Sequence, residues 1–215
     1  MLRIEKFEVN HYLVNCYVVW DGESRRCAIV DPGMETGDEQ LQVVRFIDSQ
    51  GLTPVLVLLT HAHVDHIAGL RATCDRYRLP VTMHRDGAKL LRQADAYGSI
   101  MGFHVPSLDG LDTRHVDDND TLPLGDNPIE CRHVPGHCPG SLCYVLHGEK
   151  AVLTGDAIFH FSIGRTDLPG GDYDLLVERL RSRILTLDGD YSILPGHGIP
   201  SMVWKEKKYN PFLKE

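Results

Sequence analysis

The segment Thr60–His66 carries three histidines and one aspartate, at His61, His63, Asp65 and His66. It follows Val55–Leu59, a continuously apolar run that predicts a strand covered on both faces. Side chains placed where a chain leaves the edge of a sheet point into one small volume. Imidazole nitrogens and carboxylate oxygens are ligands of zinc and similar divalent metals. The segment therefore predicts part of a metal site.

Three further donors each follow a predicted strand and a glycine. They occur in Pro135-Gly-His137, Thr154-Gly-Asp156 and Pro195-Gly-His197. Glycine lets the backbone turn sharply at a strand end and project the next side chain across the mouth of the sheet. We therefore expect His137, Asp156 and His197 to join the cluster.

The combined set is larger than one metal ion requires. A structural zinc ion takes four ligands in a closed, often cysteine-rich site, whereas these donors are all His and Asp. Two divalent metal ions account for the set, with zinc as the default. We interpret six other histidines as ordinary core or surface residues, namely His11, His84, His104, His115, His133 and His147.

Composition restricts the class of protein. Of 215 residues, 42% are hydrophobic and 24% charged, which is typical of a globular domain and excludes disordered and fibrous classes. The net charge of −8 disfavours a nucleic-acid partner. The alternating amino-terminal residues do not resemble an export signal, and the apolar runs are too short to span a membrane. We therefore expect no nucleic-acid or membrane partner; the sequence leaves the oligomeric state open.

The cysteines predict a reducing compartment. No two of the six form a CxxC pair, which argues against a zinc knuckle and a thioredoxin-like motif. Reduced, mostly buried thiols are typical of a cytoplasmic protein, which is the expected location. The six are Cys16, Cys27, Cys74, Cys131, Cys138 and Cys143.

The order of predicted elements indicates an α/β protein with two sheets packed face to face and helices outside. An irregular loop at 98–120 divides one expected domain, 1–215, into pseudo-halves at about 1–120 and 121–215. The first half has strands at 2–8, 12–20, 26–30, 55–59 and 81–83 and helices at 38–49 and 67–78. The second has strands at 129–134, 142–146, 151–153 and 192–194 and a helix at 174–187.

With these motifs, almost the whole chain resembles the metallo-β-lactamase fold superfamily, which carries HxHxDH followed by distal His, Asp and His. The resemblance implies a four-layer αββα sandwich of two mixed sheets. It also implies that His61, His63 and His137 bind one metal ion and that Asp65, His66 and His197 bind the second. Asp156 would bridge the two ions, and the resemblance implies that iron or manganese could take the place of zinc.

Further motifs narrow the resemblance to short, glyoxalase II-like hydrolases. A bridging Asp156, the stretch Ser162–Gly171 and the closing Lys208–Phe212 are similar to those proteins. They hydrolyse thioesters such as S-lactoylglutathione (hydroxyacylglutathione hydrolases), so the resemblance implies a metal-dependent thioesterase with a small-molecule thioester substrate. The nucleophile would be a hydroxide shared by the two ions, and Asp65 is the expected catalytic residue that orients it and accepts its proton.

The residues that could contact substrate have less specific sequence signals than the metal donors. Arg165 stands where full-length glyoxalase II has a glutathione-binding lysine, although an ion pair with Asp167 or Asp172 explains it equally well. Lys205 and Lys208 could hold a glutathione carboxylate or form a solvated basic tail. Only residues 198–215 follow His197, so we expect most of the helical glutathione-binding domain to be absent. Glutathione specificity and the acyl group stay open.

Three alternatives remain. A single-iron persulfide dioxygenase would use His61, His137 and Asp156 and leave other donors idle. A hydrolase of another ester or lactone would use the same site. A non-catalytic metal-binding protein is least favoured, because the set leaves room for water. The 98–120 loop could also form a lid with Tyr97, Met101 and Phe103 facing substrate, or a plain surface loop.

Overall fold

The computed structural model describes residues 1–214, and two six-stranded sheets dominate it. The first sheet has the order β1-β2-β3-β4-β5-β6. Its first three strands are antiparallel neighbours, and the pairs from β3 to β6 are parallel. The strands are β1 (Leu2–Val9), β2 (Val14–Asp21), β3 (Arg26–Val30), β4 (Thr53–Leu58), β5 (Val81–Met83) and β6 (Thr113–His115).

The second sheet has the order β14-β13-β10-β9-β8-β7, in which only β10 and β13 pair in parallel. Its strands are β7 (Thr121–Leu122), β8 (Ile129–His133), β9 (Leu142–Leu146), β10 (Ala151–Gly155), β13 (Ser192–Pro195) and β14 (Ser201–Met202). A separate hairpin consists of β11 (Ile158–Phe159) and β12 (Ser162–Ile163).

Seven α-helices surround the sheets within residues 1–214. The longest, α1, begins at a capping box in which Thr36 and Glu39 bond each other's backbone, an arrangement that stabilises a helix start by about 1 kcal/mol. The helices are α1 (Gly37–Ser49), α2 (Val64–Ile67), α3 (Leu70–Tyr77), α4 (Ala88–Arg92), α5 (Ala94–Met101), α6 (Tyr173–Arg179, continued by a π-type turn at Leu180–Ile184) and α7 (Val203–Tyr209).

Side chains on the two faces of each sheet form three layers of hydrophobic core. On β2, Val19 packs between the sheets with Tyr144 and Leu153, whereas Val18 packs outward beneath α1. The outer face of the second sheet is covered in the same way by α6, through Leu176 and neighbouring residues. The result is the predicted four-layer αββα sandwich, with its mixed sheets facing each other.

Hydrogen bonds join the two sheets at the edge where β4, β10 and β13 end. Asn15 on β2 donates its backbone N–H to the Gly196 carbonyl at 2.7 Å, and the Tyr17 hydroxyl donates to the Pro195 carbonyl at 2.8 Å. From the other sheet, the Tyr144 hydroxyl donates to the Leu59 carbonyl at 2.7 Å. Buried polar groups satisfied across the interface fix the relative position of the loops at this edge.

Several predicted elements differ from the structure. The predicted helix 67–78 corresponds to α3, which begins three residues later, and a separate short helix, α2, precedes it over the histidine-rich segment. The predicted irregular loop 98–120 is wrong at both α5 and β6. The supposed basic tail contains helix α7, and the helix predicted to run to Leu187 ends its regular turns earlier.

Helix length and hydropathy bear on membrane insertion. Within residues 1–214, every helix falls short of the length and apolar character that a membrane-crossing segment requires.

Candidate metal centre

All seven predicted donors converge at this edge, six of them in two groups of three and Asp156 between the groups. His61, His63 and His137 bring one ring nitrogen each within 4.8 Å of one another. Asp65, His66 and His197 form a second group by the same measure. Each group thus combines donors that follow β4 with a donor from the second sheet.

Asp156, which follows β10, lies between the two groups. Its Oδ1 is 3.3 Å from His66 Nε2, and its Oδ2 is 3.5 Å from His197 Nε2 and 3.8 Å from His137 Nε2. One carboxylate oxygen therefore faces His66, while the other lies near donors of both groups. This position suits a ligand shared by two cations.

Three buried polar atoms in this cluster make no well-formed hydrogen bond: His61 Nε2, His66 Nε2 and Asp156 Oδ1, of which the last two lie 3.3 Å apart as an ion pair. Unsatisfied atoms of this kind are rare in folded proteins, because desolvation without a partner costs about 1–3 kcal/mol each. Cations held at the centre would satisfy all three. The donor chemistry and these orphaned atoms together fit a pair of divalent metal ions.

Outer partners orient four of the rings through Nδ1. His66 Nδ1 lies 3.0 Å from Asp31 Oδ2, and His61 Nδ1 lies 3.0 Å from the Thr60 hydroxyl. The Nδ1 atoms of His137 and His197 face the backbone carbonyls of Arg165, at 2.8 Å, and Tyr12, at 3.0 Å. A partner at Nδ1 fixes the ring and leaves Nε2 directed at the centre, as metal-binding histidines require.

Asp31 is a functional residue that the sequence reasoning missed. Its carboxylate accepts hydrogen bonds from the Thr60 backbone N–H (2.7 Å) and hydroxyl (2.6 Å) as well as contacting His66. In the sequence, the Pro32-Gly33 that follows marks it only as a strand stop. The available signal was a carboxylate placed directly after a buried strand at the same edge as the histidines.

Electrostatics divide the histidines into two kinds. Burial, together with the neighbouring imidazoles, lowers the pKa of His61 well below its usual range and that of His63 to about 4. Burial also opposes the charged forms of His66 and His197, but Asp65 and Asp156 outweigh it and raise their pKa values. Protons and cations therefore compete for these two rings, because a histidine binds a metal ion only in its neutral form.

The two carboxylates stay ionised. Burial alone would raise the pKa of Asp156, but His66 and His61 lower it well below its usual range. In Asp65 burial is similarly outweighed by His66 and His197, and the pKa is lowered. Both side chains are therefore acceptors at neutral pH, which is the form that binds cations.

Glycine before each distal donor serves two different purposes. Gly136 and Gly155 have φ values of 125° and 48°, a backbone conformation that other residues rarely adopt. Gly196 has no positive φ, but a Cβ there would lie 2.7 Å from the His66 ring. The predicted turn function thus applies to Gly136 and Gly155, whereas Gly196 provides space for the centre.

A cavity of about 470 Å³ opens over the cluster. Asp65, Asp156 and His197 are among the donors that line it, together with residues of α4, α5 and the segment after β12. Of the proposed lid residues, Tyr97 and Met101 line the cavity, whereas Phe103 is buried against His11 and Tyr12.

The three candidate substrate-binding residues differ in their position relative to the cavity. Arg165 lines the cavity, but its guanidinium makes two hydrogen bonds of 2.7 Å to Asp167, the ion pair that the sequence offered as the alternative. Lys205 and Lys208 do not line it; their ammonium groups lie over the rings of Trp204 and Tyr209. The prediction that these lysines contact substrate is therefore not supported by their positions.

Cys138 and the pair of His84 and His133 have surroundings that indicate structural roles. Cys138 is buried beside Ser141, and burial raises the pKa of its thiol to about 12, so it stays protonated. His84 and His133, interpreted separately from the sequence, stack at 3.9 Å with an interplanar angle of 10°, near Asp86. Parallel rings do not direct their in-plane nitrogens at one point, so we do not count them as a metal centre.

Known proteins share this architecture. The chain is 32% identical to hydroxyacylglutathione hydrolase GloC of Haemophilus influenzae over 99% of this chain and 98% of that protein. It superimposes on the BLEG-1 B3 metallo-beta-lactamase with a TM-score of 0.89 (30% identity, 99% and 100% of the two chains). It also superimposes on the di-iron-bound form of TTHA1623 with a TM-score of 0.87 (31% identity, 97% and 100%).

The family model agrees with these likenesses. It matches residues 9–197, a range that ends at the last of the seven predicted donors. The centre described above thus lies within the matched range, and the chain belongs to the metallo-beta-lactamase superfamily.

Proposed function

We propose that this protein is a dimetal hydrolase that cleaves a thioester, with S-lactoylglutathione as the first substrate to test. The observation that carries the proposal is the pair of donor groups joined by Asp156, with three buried atoms left unsatisfied at their centre. Membership of the superfamily indicates a metal-dependent hydrolase, and the named function of the Haemophilus influenzae relative supports a thioester substrate.

In this proposal His61, His63 and His137 would hold one ion, Asp65, His66 and His197 would hold the other, and Asp156 would contribute to both. Divalent cations held there would supply Lewis-acid chemistry, which lowers the pKa of water toward neutrality and stabilises negative charge on a carbonyl oxygen. Zinc is the proposed metal; the di-iron form of TTHA1623 supports iron as an alternative. We also propose a cytoplasmic protein that acts on a small molecule.

Asp65 is the proposed catalytic residue. Its carboxylate is ionised, lies 3.2 Å from His197 Nε2 through Oδ2 and lines the cavity. A carboxylate that uses one oxygen for binding can hold the attacking water with the other and accept its proton. Asp31 and the carbonyls of Arg165 and Tyr12 would hold the rings of His66, His137 and His197 in the orientation that this proposal requires.

The donor geometry favours this reading over the single-iron dioxygenase. That chemistry needs only His61, His137 and Asp156. The second group of donors would then bind no metal ion, although Asp31 and the Tyr12 carbonyl orient its two histidine rings.

The test is metal analysis of the purified protein together with S-lactoylglutathione turnover. We expect two ions per chain and measurable hydrolysis, and Asp156→Ala should reduce turnover by at least about a thousandfold. The matched control is Asp86→Ala, a carboxylate outside the cavity, which should leave both unchanged. Oxygen uptake with glutathione persulfide, without thioester cleavage, would establish the dioxygenase instead. A fully loaded protein inert to thioesters, esters and lactones would overturn the proposed hydrolase.

A further inference from the structure

We propose that the cavity selects substrates by an uncharged, apolar substituent, which packs on a surface formed by Leu90, Tyr97, Ile100 and Met101. We call these four residues the apolar wall. This inference rests on the proposed hydrolase function and specifies its substrate class: thioesters or esters with an aliphatic or aromatic group on the acyl or the leaving side.

The residues that line the cavity are of two main kinds. Predicted metal donors form one part of the lining, and the apolar wall with Leu168 and Pro169 forms much of the rest. Among the described residues 1–214, Arg165 is the only charged side chain lining the cavity apart from the predicted donors. Largely apolar sides with a few convergent polar groups are typical of small-molecule sites.

Helix spacing and packing build the wall. Tyr97, Ile100 and Met101 stand at positions i, i+3 and i+4 of α5, so they share one face. On another face, Gly98 lies so close to Val105 that a Cβ would be 2.9 Å from the valine side chain. The Phe103 backbone N–H also donates to the Gly98 carbonyl at 2.8 Å. This packing holds α5 with its apolar residues toward the cavity.

Ile100 is 81% exposed at the cavity mouth, and Tyr97 and Met101 are half-buried. Apolar surface beside a polar centre favours a ligand group that removes it from water, because burial of apolar area is the main favourable term in such binding. An apolar substituent lying along the wall would cover these side chains.

The positively charged residues near the cavity also favour an apolar substituent over a carboxylate. The guanidinium of Arg165 is already paired with Asp167 through both carboxylate oxygens. Lys205 and Lys208 lie outside the lining. A substrate carboxylate would therefore have to displace Asp167 to gain a cation, whereas an apolar group has no such competitor.

Two substrate series test the proposal with the metal-loaded enzyme. In the first, the acyl group of N-acetylcysteamine thioesters is lengthened from acetyl to octanoyl; in the second, the thiol of acetyl thioesters is lengthened from ethanethiol to hexanethiol. We expect kcat/KM to rise about threefold to fourfold per methylene in at least one series until the cavity is filled, which corresponds to about 0.8 kcal/mol per buried CH2. The series that rises identifies the side of the substrate that the wall binds.

The variant Ile100→Lys places a charge on the wall and should abolish most of that gain, while Leu41→Lys puts the same change on exposed α1, outside the cavity. Leu41→Lys should keep the wild-type ratio between long and short substrates. Measurable turnover with no length dependence in either series would overturn the inference and leave the proposed hydrolase standing. The inference would also be overturned if Ile100→Lys and Leu41→Lys had the same ratio of kcat/KM between long and short substrates. A loaded enzyme that cleaves S-lactoylglutathione but no member of either series would also overturn the inference alone, whereas one inert to S-lactoylglutathione and to both series would overturn the thioester hydrolase itself.

Discussion

Two histidine clusters span the sheets of this molecule, and they differ in how their rings meet. In the predicted metal centre His63 is nearly perpendicular to both His61 and His137, at 87° in each case. His84, which follows β5, and His133, at the end of β8, are nearly parallel, at 10°. Both clusters bring the end of one sheet to the end of the other, but only the first directs its nitrogens inward.

The surroundings explain the difference. Rings of the centre are fixed through Nδ1 by Asp31, Thr60 and backbone carbonyls, and carboxylates lie between them. In the stacked pair His84 Nδ1 accepts a hydrogen bond from the Asp86 backbone N–H at 3.2 Å, and the rings contact each other. Proximity of histidines is therefore insufficient for a metal site; outer partners that orient the rings are also needed.

The largest contrast is expected from removing one histidine of each cluster. His66→Ala should lose one of two bound ions and lower turnover by about a thousandfold or more, because it removes a direct ligand. His84→Ala should retain both ions. Elemental analysis with turnover measurements checks this. Loss of an ion from His84→Ala would mean that the stacked pair is also a metal site.

A smaller effect is expected at the outer partner Asp31. Asp31→Asn keeps the size of the side chain but removes the charge that faces His66, so metal affinity or activity should fall about 10- to 100-fold. Asp21→Asn, another buried aspartate bonded to Ser24 away from the centre, is the control and should leave metal affinity unchanged. Chelator competition measures both. Equal affinities in the two variants would show that Asp31 has no role in orientation.

The smallest effect is the pH dependence of folding stability that His133 of the stacked pair contributes. Burial, with a contribution from His84, lowers the pKa of His133 from 6.5 to about 4. The unfolded chain therefore binds the proton more tightly, and folding stability falls as pH drops from about 6.5 to 4. Because the ring is partly exposed, we expect this contribution to be on the order of 1 kcal/mol.

Denaturant unfolding with chelator present, compared between wild type and His133→Gln, isolates this contribution. The variant should lose less stability across the same pH window. Parallel pH profiles for the two proteins would contradict the assignment.

The donors of the centre could be predicted from the sequence because each follows a strand, and strand ends meet at one edge. Asp31 could not, since a carboxylate before Pro-Gly is usual in turns, and only the packing of β3 beside β4 brings it to Thr60 and His66. The His84–His133 stack was not predicted, because neither histidine belongs to a cluster in the sequence or follows a glycine at a strand end. Helix α5 was missed because Gly98 suggested a loop, although this glycine is a packing contact with Val105.

The donors come from both halves of the chain, with His63 and His137 separated by 74 positions. An ion held by both would act as a cross-link that closes this long stretch, and binding energy of that kind becomes folding energy. Metal supply would then affect the lifetime of the protein as well as its activity. In a cell depleted of the ion, a larger fraction of the chain would be unfolded and exposed to proteases.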